Sequence, residues 1–390
     1  MSATESRTDS RTDSRTDVRT VRAGVRPAGY GLIRVKSKGH GGRGGRGGSF
    51  LLHRRSALVA IGLTLATAAV CVTYLCVGES FIAPGDAVKT VLHTQWGLGR
   101  ATPNDLVVGT LRLPRMTLGL MVGAAFGIAG ALIQTVARNP LASPDIIGVS
   151  QGASAVTVGA MTYGVSSYAV LPYLSVAGGL AAAGLVYVFA WRGGLQAARF
   201  VLIGIGFAVA LRSITHLFLT KGDYLVAQQA KVWMTGSLNG RGWGEATPLG
   251  WALLVLLPGV LWAARAQRTA SMDDDTATAL GVRLGRVRLG LVALGVVLAS
   301  MATGAAGPVD FVALLAPQIA RRMTRTAQIP LLCSALTGAF IVVTADLLAR
   351  KLFAPTELPV GVLTAAVGAP YLIHLLLSSG GRGRKGGTAA

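Results

Sequence analysis

Few residues in this chain are of types that do chemistry, and their spacing narrows the options further. Arg212 and His216 stand four apart inside an apolar run, so a helix there places both on one face, near its outer end. A guanidinium at that place can hold an anion, pair with a neighbouring acid or reach to lipid headgroups. Asp273-Asp274-Asp275 lead into Thr276-Ala277-Thr278-Ala279-Leu280-Gly281-Val282-Arg283, with acid first and base last. That order complements a helix dipole, and Gly281 would end a short, rigid helix.

Conventional catalytic constellations are missing from the sequence. It contains no GxxxxGK[ST] phosphate loop, so ATP hydrolysis has to come from another chain. His40, His53, His93, His216 and His374 follow no metal-ligand spacing, and no Ser/His/Asp set can be assembled from the apolar runs. Cys71, Cys76 and Cys333 sit in apolar runs without CxxC spacing, which indicates neither a disulfide framework nor zinc. No catalytic residue, metal or cofactor is expected. Acids in or near the apolar runs are few: Asp145, Asp310, Asp346 and, in an outer loop, Glu357. An ion-coupled carrier needs ionisable midplane sites and related halves, and no inverted repeat is visible.

The elements that must position these residues are membrane helices. Of 390 residues, 52% are apolar and 14% charged, and the mean hydropathy is +0.55. Runs long enough for a hydrocarbon layer of roughly 30 Å occur at 56–77, 113–136, 152–170, 172–191, 200–219, 248–264, 289–306, 331–349 and 358–377. A shorter run at 309–320 contains Pro317 and reads as a short or tilted tenth crossing. The fold class is therefore an all-α membrane protein of about ten transmembrane helices. Gly119, Gly123 and Gly127 stand four apart, followed by Gly130, a spacing that lets helix backbones approach closely.

The net charge of +21 resembles a nucleic-acid signature until it is located. Residues 1–55 hold 13 basic and 4 acidic groups, and Arg382, Arg384 and Lys385 close the chain. Residues 1–50, with an imperfect Ser-Arg-Thr-Asp repeat and an Arg-Gly run, are too polar to pack and are expected to be a disordered cytoplasmic tail. Residues 51–378 form the membrane domain and 379–390 a second tail; no nucleic-acid partner is expected. The first apolar run starts beyond residue 50 without a cleavage pattern, so it reads as a retained helix. Alternating ten spans from a cytoplasmic tail puts 27 basic residues inside and 10 outside, whereas nine would strand the C-terminal cluster outside. Both termini are expected in the cytoplasm of a multi-pass cell-membrane protein.

Four polar or Gly/Pro-rich stretches exceed what a plain bundle requires: Leu111-Arg112-Leu113-Pro114-Arg115, Arg138-Asn139-Pro140-Leu141-Ala142-Ser143-Pro144-Asp145-Ile146-Ile147-Gly148-Val149, Trp233-Met234-Thr235-Gly236-Ser237-Leu238-Asn239-Gly240-Arg241-Gly242-Trp243, and the stretch from Glu357-Leu358-Pro359-Val360-Gly361 to Pro370. With Ala279-Leu280-Gly281-Val282 and Gly307-Pro308-Val309-Asp310-Phe311, and in order from about residue 56 to 377, they resemble the FecCD-type permeases of ABC importers. That family moves ferric siderophores, haem and cobalamin, and the strings are most similar to its ferric-enterobactin type.

The resemblance implies a type II ABC importer permease bundle and alternating access. It also implies a second permease subunit, identical or not, two cytoplasmic ATPase subunits and an extracytoplasmic binding lipoprotein that delivers a ferric siderophore. It implies that Arg112, Arg115 and Arg350 meet carboxylates of the delivery protein, for which the planar guanidinium fork is suited; the alternative is snorkelling to headgroups. It makes Ala279, Leu280, Gly281 and Val282, within the cytoplasmic stretch 265–288, the segment that couples to the ATPase, and Arg212 and His216 part of the substrate path. Two departures stand out: Asp310 and Ala313 replace glycines of the family pattern, and Gln318 replaces a histidine, so no proton role is expected there. Cobalamin or haem transport, and less readily an ion-coupled carrier, are the alternatives.

Overall fold

A computed structural model of the chain describes residues 30–34, 49–78, 80–98, 103–165, 170–191, 197–272, 274–279 and 281–380. The chain divides into two units, residues 1–55 and 56–390. In the first, β1 (Tyr30–Arg34) pairs antiparallel with β2 (Ser49–His53), Leu32 opposite Leu51. These strands depart from the disorder expected over 1–50. They gather Tyr30, Leu32, Ile33, Phe50, Leu51 and Leu52, apolar and partly aromatic or β-branched residues that suit a pleated surface, in a stretch otherwise rich in glycine and arginine. The other residues of that tail, and those beyond 380, lie outside the described residues.

The described part of the second unit is helical. Its long elements are α1 (Arg54–Cys76), α3 (Leu113–Ala137), α4 (Val149–Thr162), α5 (Leu171–Ala190), α6 (Ala197–Lys221), α8 (Trp243–Ala270), α10 (Leu284–Ala306), α11 (Val312–Thr324), α12 (Leu331–Lys351) and α13 (Val360–Gly380). These match the ten apolar runs one for one. Between them lie α2 (Pro84–Trp96), α7 (Tyr224–Met234) and the six-residue α9 (Asp274–Ala279). Among the described residues, seven helices are long and apolar enough to cross a membrane. The protein is a multi-pass membrane protein.

Two of the ten are short. The 14 residues of α4 and 13 of α11 rise only about 20 Å. Each follows irregular backbone. A 3-10 turn, Pro144–Ile147, closes on Gly148 at φ 85° before α4. Gly307 at φ 76° and Phe311 at φ 66° bend the chain before α11. The run expected to continue as helix to 170 stops at Thr162, because the chain turns through Gly164 at φ 89°.

Helix α3 is the hub. It packs on α12, α10, α11 and α8, and its span window is 72% buried, the highest share of any span. The glycine stripe makes this possible: a methyl group on Gly123 or Gly127 would overlap the α12 backbone at Gly338 or Ser334, and one on Gly130 the Ala313 carbonyl of α11. Close backbone approach replaces the hydrophobic drive that lipid does not supply. Phe126, Leu132, Leu291, Leu298 and Val312 fill the core around it. By contrast α6 exposes Leu202, Ile205, Val209 and Leu217.

Candidate functional site: a buried ion cluster, a charged face and an exposed clamp

At the N-terminal end of α3, a π-helical turn over Leu106–Arg112 runs into Pro114 in the first turn of the α-helix, bringing Arg112 and Arg115 inward. Arg115 donates from Nε to Asp346 Oδ2 at 2.9 Å and from Nη2 to Oδ1 at 2.8 Å, a bidentate fork onto α12. Its Nη1 reaches Glu357 Oε2 at 2.9 Å and, more weakly, Asn239 Oδ1 at 3.4 Å. The Tyr74 hydroxyl of α1 donates to the same Asp346 carboxylate. Arg350, one turn after Asp346 on α12, lies over the Tyr74 ring at 4.1 Å. Side-chain exposures are 8% for Arg115, 1% for Asp346 and 34% for Glu357. Arg112 is buried too, donating to the carbonyls of Leu75 at 2.6 Å and Ser80 at 2.8 Å.

The three arginines expected to face a delivery protein thus gather at one end of the molecule. Arg112 and Arg115 are buried against groups of their own chain, and Arg350 is half-buried, its Nη2 reaching the carbonyls of Tyr74 at 3.5 Å and Val77 at 3.4 Å. Tyr74 and Asn239 were not singled out by the sequence reasoning. For Asp346 a signal existed, since it lies four residues before Arg350 on one predicted helix face.

The second group is simpler. Arg212 and His216 are exposed on one face of α6, one turn apart, with no partner among the described residues. Apolar side chains flank them, so the guanidinium lies on a surface that lipid alone would not tolerate cheaply.

At the cytoplasmic-predicted end, α8 finishes at Ala270 and α9 begins at Asp274. Helix α9 ends as its sequence suggests. Gly281 takes φ 74°, its N–H donates to the Thr278 carbonyl at 2.9 Å, and the Val282 N–H donates to Ala277 at 3.0 Å. This paired 5→2 and 6→1 pattern is a Schellman stop. Ala279, Gly281 and Val282 therefore cap a rigid short helix; Leu280 and Asp273 lie outside the described residues.

One carboxylate ties this segment to the bundle. Asp274 Oδ1 accepts from Arg138 Nη2 at 2.6 Å and from Arg288 Nη2 at 2.6 Å, and Oδ2 accepts from Arg288 Nη1 at 3.2 Å. Arg138 is the C-cap of α3, at φ 50°, and also donates to the Met272 carbonyl. Hydrogen bonding from Arg288, and then from Arg138, holds the Asp274 carboxyl below its ordinary range. Beside Arg138 opens a cavity of about 150 Å³ lined in part by Gln134, Gln318, Arg321 and Gln328. Its floor includes the buried amide pair Gln318 Nε2 to Gln134 Oε1. No group of three or more His, Cys, Asp or Glu able to hold a metal ion occurs among the described residues.

Comparison with known proteins fits this architecture. The pattern of the FecCD transport family matches residues 65–378. The ferric enterobactin transport system permease protein of Escherichia coli K12 is 41% identical over 273 residues, covering 70% of this chain and 82% of that one. The achromobactin transport system permease protein of Dickeya dadantii is 37% identical, covering 79% and 88%. The iron(3+)-hydroxamate import system permease protein of Bacillus subtilis is 36% identical, covering 76% and 90%. Among solved structures, a metal-chelate type ABC transporter in an inward-facing conformation superposes with a TM-score of 0.71 at 26% identity, over 83% of this chain and 99% of that one. With its family pattern covering most of the chain and the helices arranged as in a transporter of this kind, this protein belongs to the FecCD transport family.

Proposed function

We propose that this chain is a permease subunit of an ATP-driven importer of ferric siderophores, working by alternating access. The single observation that carries the reading is the match of residues 65–378 to this family, whose curated relatives are named for iron-chelate transport. A second permease subunit covers the α6 face, so that Arg212 and His216 border a wet path instead of lipid. An anionic ferric catecholate of the enterobactin class passes Arg212 through a transient, exchangeable contact. The capped helix α9 with Val282 seats in a groove of each of two cytoplasmic ATPase subunits. Both termini lie in the cytoplasm, consistent with the inward excess of basic residues.

An extracytoplasmic delivery protein docks on the outer rim. Arg112 and Arg115 shape that rim from within, and the partly open Arg350 is the cation it presents to a docking carboxylate.

The test is uptake of radiolabelled ferric enterobactin in cells carrying the chain with its ATPase and delivery partners. Uptake should require an intact ATPase, and Arg212→Leu at normal membrane abundance should lower it several-fold. Competition by unlabelled ferric enterobactin but not by ferric hydroxamate, haem or cobalamin supports the catecholate assignment. Competition by cobalamin or haem instead transfers the reading to that substrate, and uptake independent of the ATPase contradicts it altogether.

A further inference from the structure

The carboxylate of Asp274 occupies an unusual position for a surface acid. It is half exposed, yet it accepts three hydrogen bonds from two arginines on two different membrane helices. Arg138 is the residue on which α3 ends, and Arg288 sits in the second turn of α10. These two helices pack against each other along the core. Asp274 itself begins α9, whose far end is fixed by the Gly281 stop. The segment is thus short, closed at one end and pinned at the other by the Asp274 side chain, with the neighbouring Met272 carbonyl also held by Arg138.

We propose that Asp274 is the positioning residue that passes movement of the cytoplasmic segment to the membrane helices, by holding α9 to α3 and α10 at once. A force applied to α9 has few other routes inward. Its remaining packing is slight, with Ala277 its one buried side chain, whereas α3 reaches the core of the bundle along its whole length. Because Arg138 is the C-cap of α3, directly following its last residue Ala137, displacing Asp274 pulls on the end of the hub helix. The exposure of Asp274 and Arg138, 52% and 42%, matters here, while Arg288 at 15% stays with the bundle. A tie in water can yield and reform within a cycle, which a dry pair cannot do without leaving a buried charge.

This inference rests on the ATP-driven reading above, and the experiment separates the two. The complete complex, with its ATPase and delivery proteins, is reconstituted in liposomes, and ATP hydrolysed and ferric chelate transported are measured together. Asp274→Asn keeps the size of the side chain and removes its charge. The expected result is that chelate transported per ATP falls by a factor on the order of ten while hydrolysis continues. Asp274→Glu, which restores the charge, should recover the ratio. A proportional fall of both rates in Asp274→Asn would show a role in assembly only, and an unchanged ratio would show no role; either overturns the proposal. Equal impairment of Asp274→Glu and Asp274→Asn also overturns it, because charge would then not be what matters. Absence of ATP-dependent transport in the unmodified complex would instead overturn the functional reading.

Discussion

The two ends of helix α3 carry the same chemistry in opposite settings. At the N-terminal end, the outer one in the proposed orientation, Arg115 forks onto Asp346 with both side chains at or below 8% exposure, and Tyr74 and Glu357 complete the cluster. At the other end Asp274, 52% exposed, meets Arg138 at 42% and Arg288 at 15% exposure. The helix itself is 25 residues long, about 37 Å. Once desolvated, an ion pair cannot open without stranding a charge, so the outer cluster acts as a fixed joint among α1, α3 and α12. A solvated pair gains little net energy and costs little to open, so the inner one suits a joint that shifts. Burial, more than partner identity, separates the two roles.

That contrast can be broken first at its strong end. Asp346→Ala leaves Arg115 buried without its bidentate partner and should cost about 3–5 kcal/mol of stability, read as a lowered thermal midpoint in detergent. Replacing both members by apolar residues, Arg115→Met with Asp346→Leu, should cost less than either single change. If the double variant is worse than both, the outer cluster is not held by the pairing described. Tyr74→Phe removes one hydrogen bond to a carboxylate and should cost about 1.5–3 kcal/mol in the same assay.

The inner end should respond far less. Asp274→Ala is expected to change the thermal midpoint by no more than about 1 kcal/mol permits, and raising salt should erase even that difference through screening. A large, salt-insensitive loss would remove the distinction between the ends. The pH response has a definite sign. The arginines hold the folded-state carboxyl of Asp274 below the usual 3.8, so its contribution is present above that unfolded-chain value and is lost as pH falls through the lower, folded one. Stability differences between the parent protein and Asp274→Asn should therefore stay constant from about pH 5 to 8 and vanish only in stronger acid.

How much of this was legible beforehand depends on distance along the chain. The ten apolar runs became ten helices because length and apolarity are local properties, and the stop at Gly281 is a local turn requirement that only glycine meets without strain. Close packing through Gly123, Gly127 and Gly130 was legible as a spacing, although not that α12 and α11 would fill it. The ion clusters were not legible. Arg115 and Asp346 are separated by 231 positions and Arg138 and Asp274 by 136, and nothing in either neighbourhood names the other. For that reason the sequence placed Arg112 and Arg115 on an open face, while the fold turns both inward to partners of the same chain. The early end of α4 was hidden by apolar residues that continue past Gly164, and the strands near Tyr30 and Phe50 by the glycine and arginine around them.

The most direct test of the two-joint account is the distance between paired spin labels, measured with and without a non-hydrolysable ATP analogue bound to the partner ATPase. With the native Cys71, Cys76 and Cys333 replaced, labels at Leu111 and Leu352 span the outer cluster, and labels at Asn139 and Thr278 span the clamp. The account predicts that the first distance stays constant and the second shifts. A change in the outer distance with the clamp unmoved would contradict it.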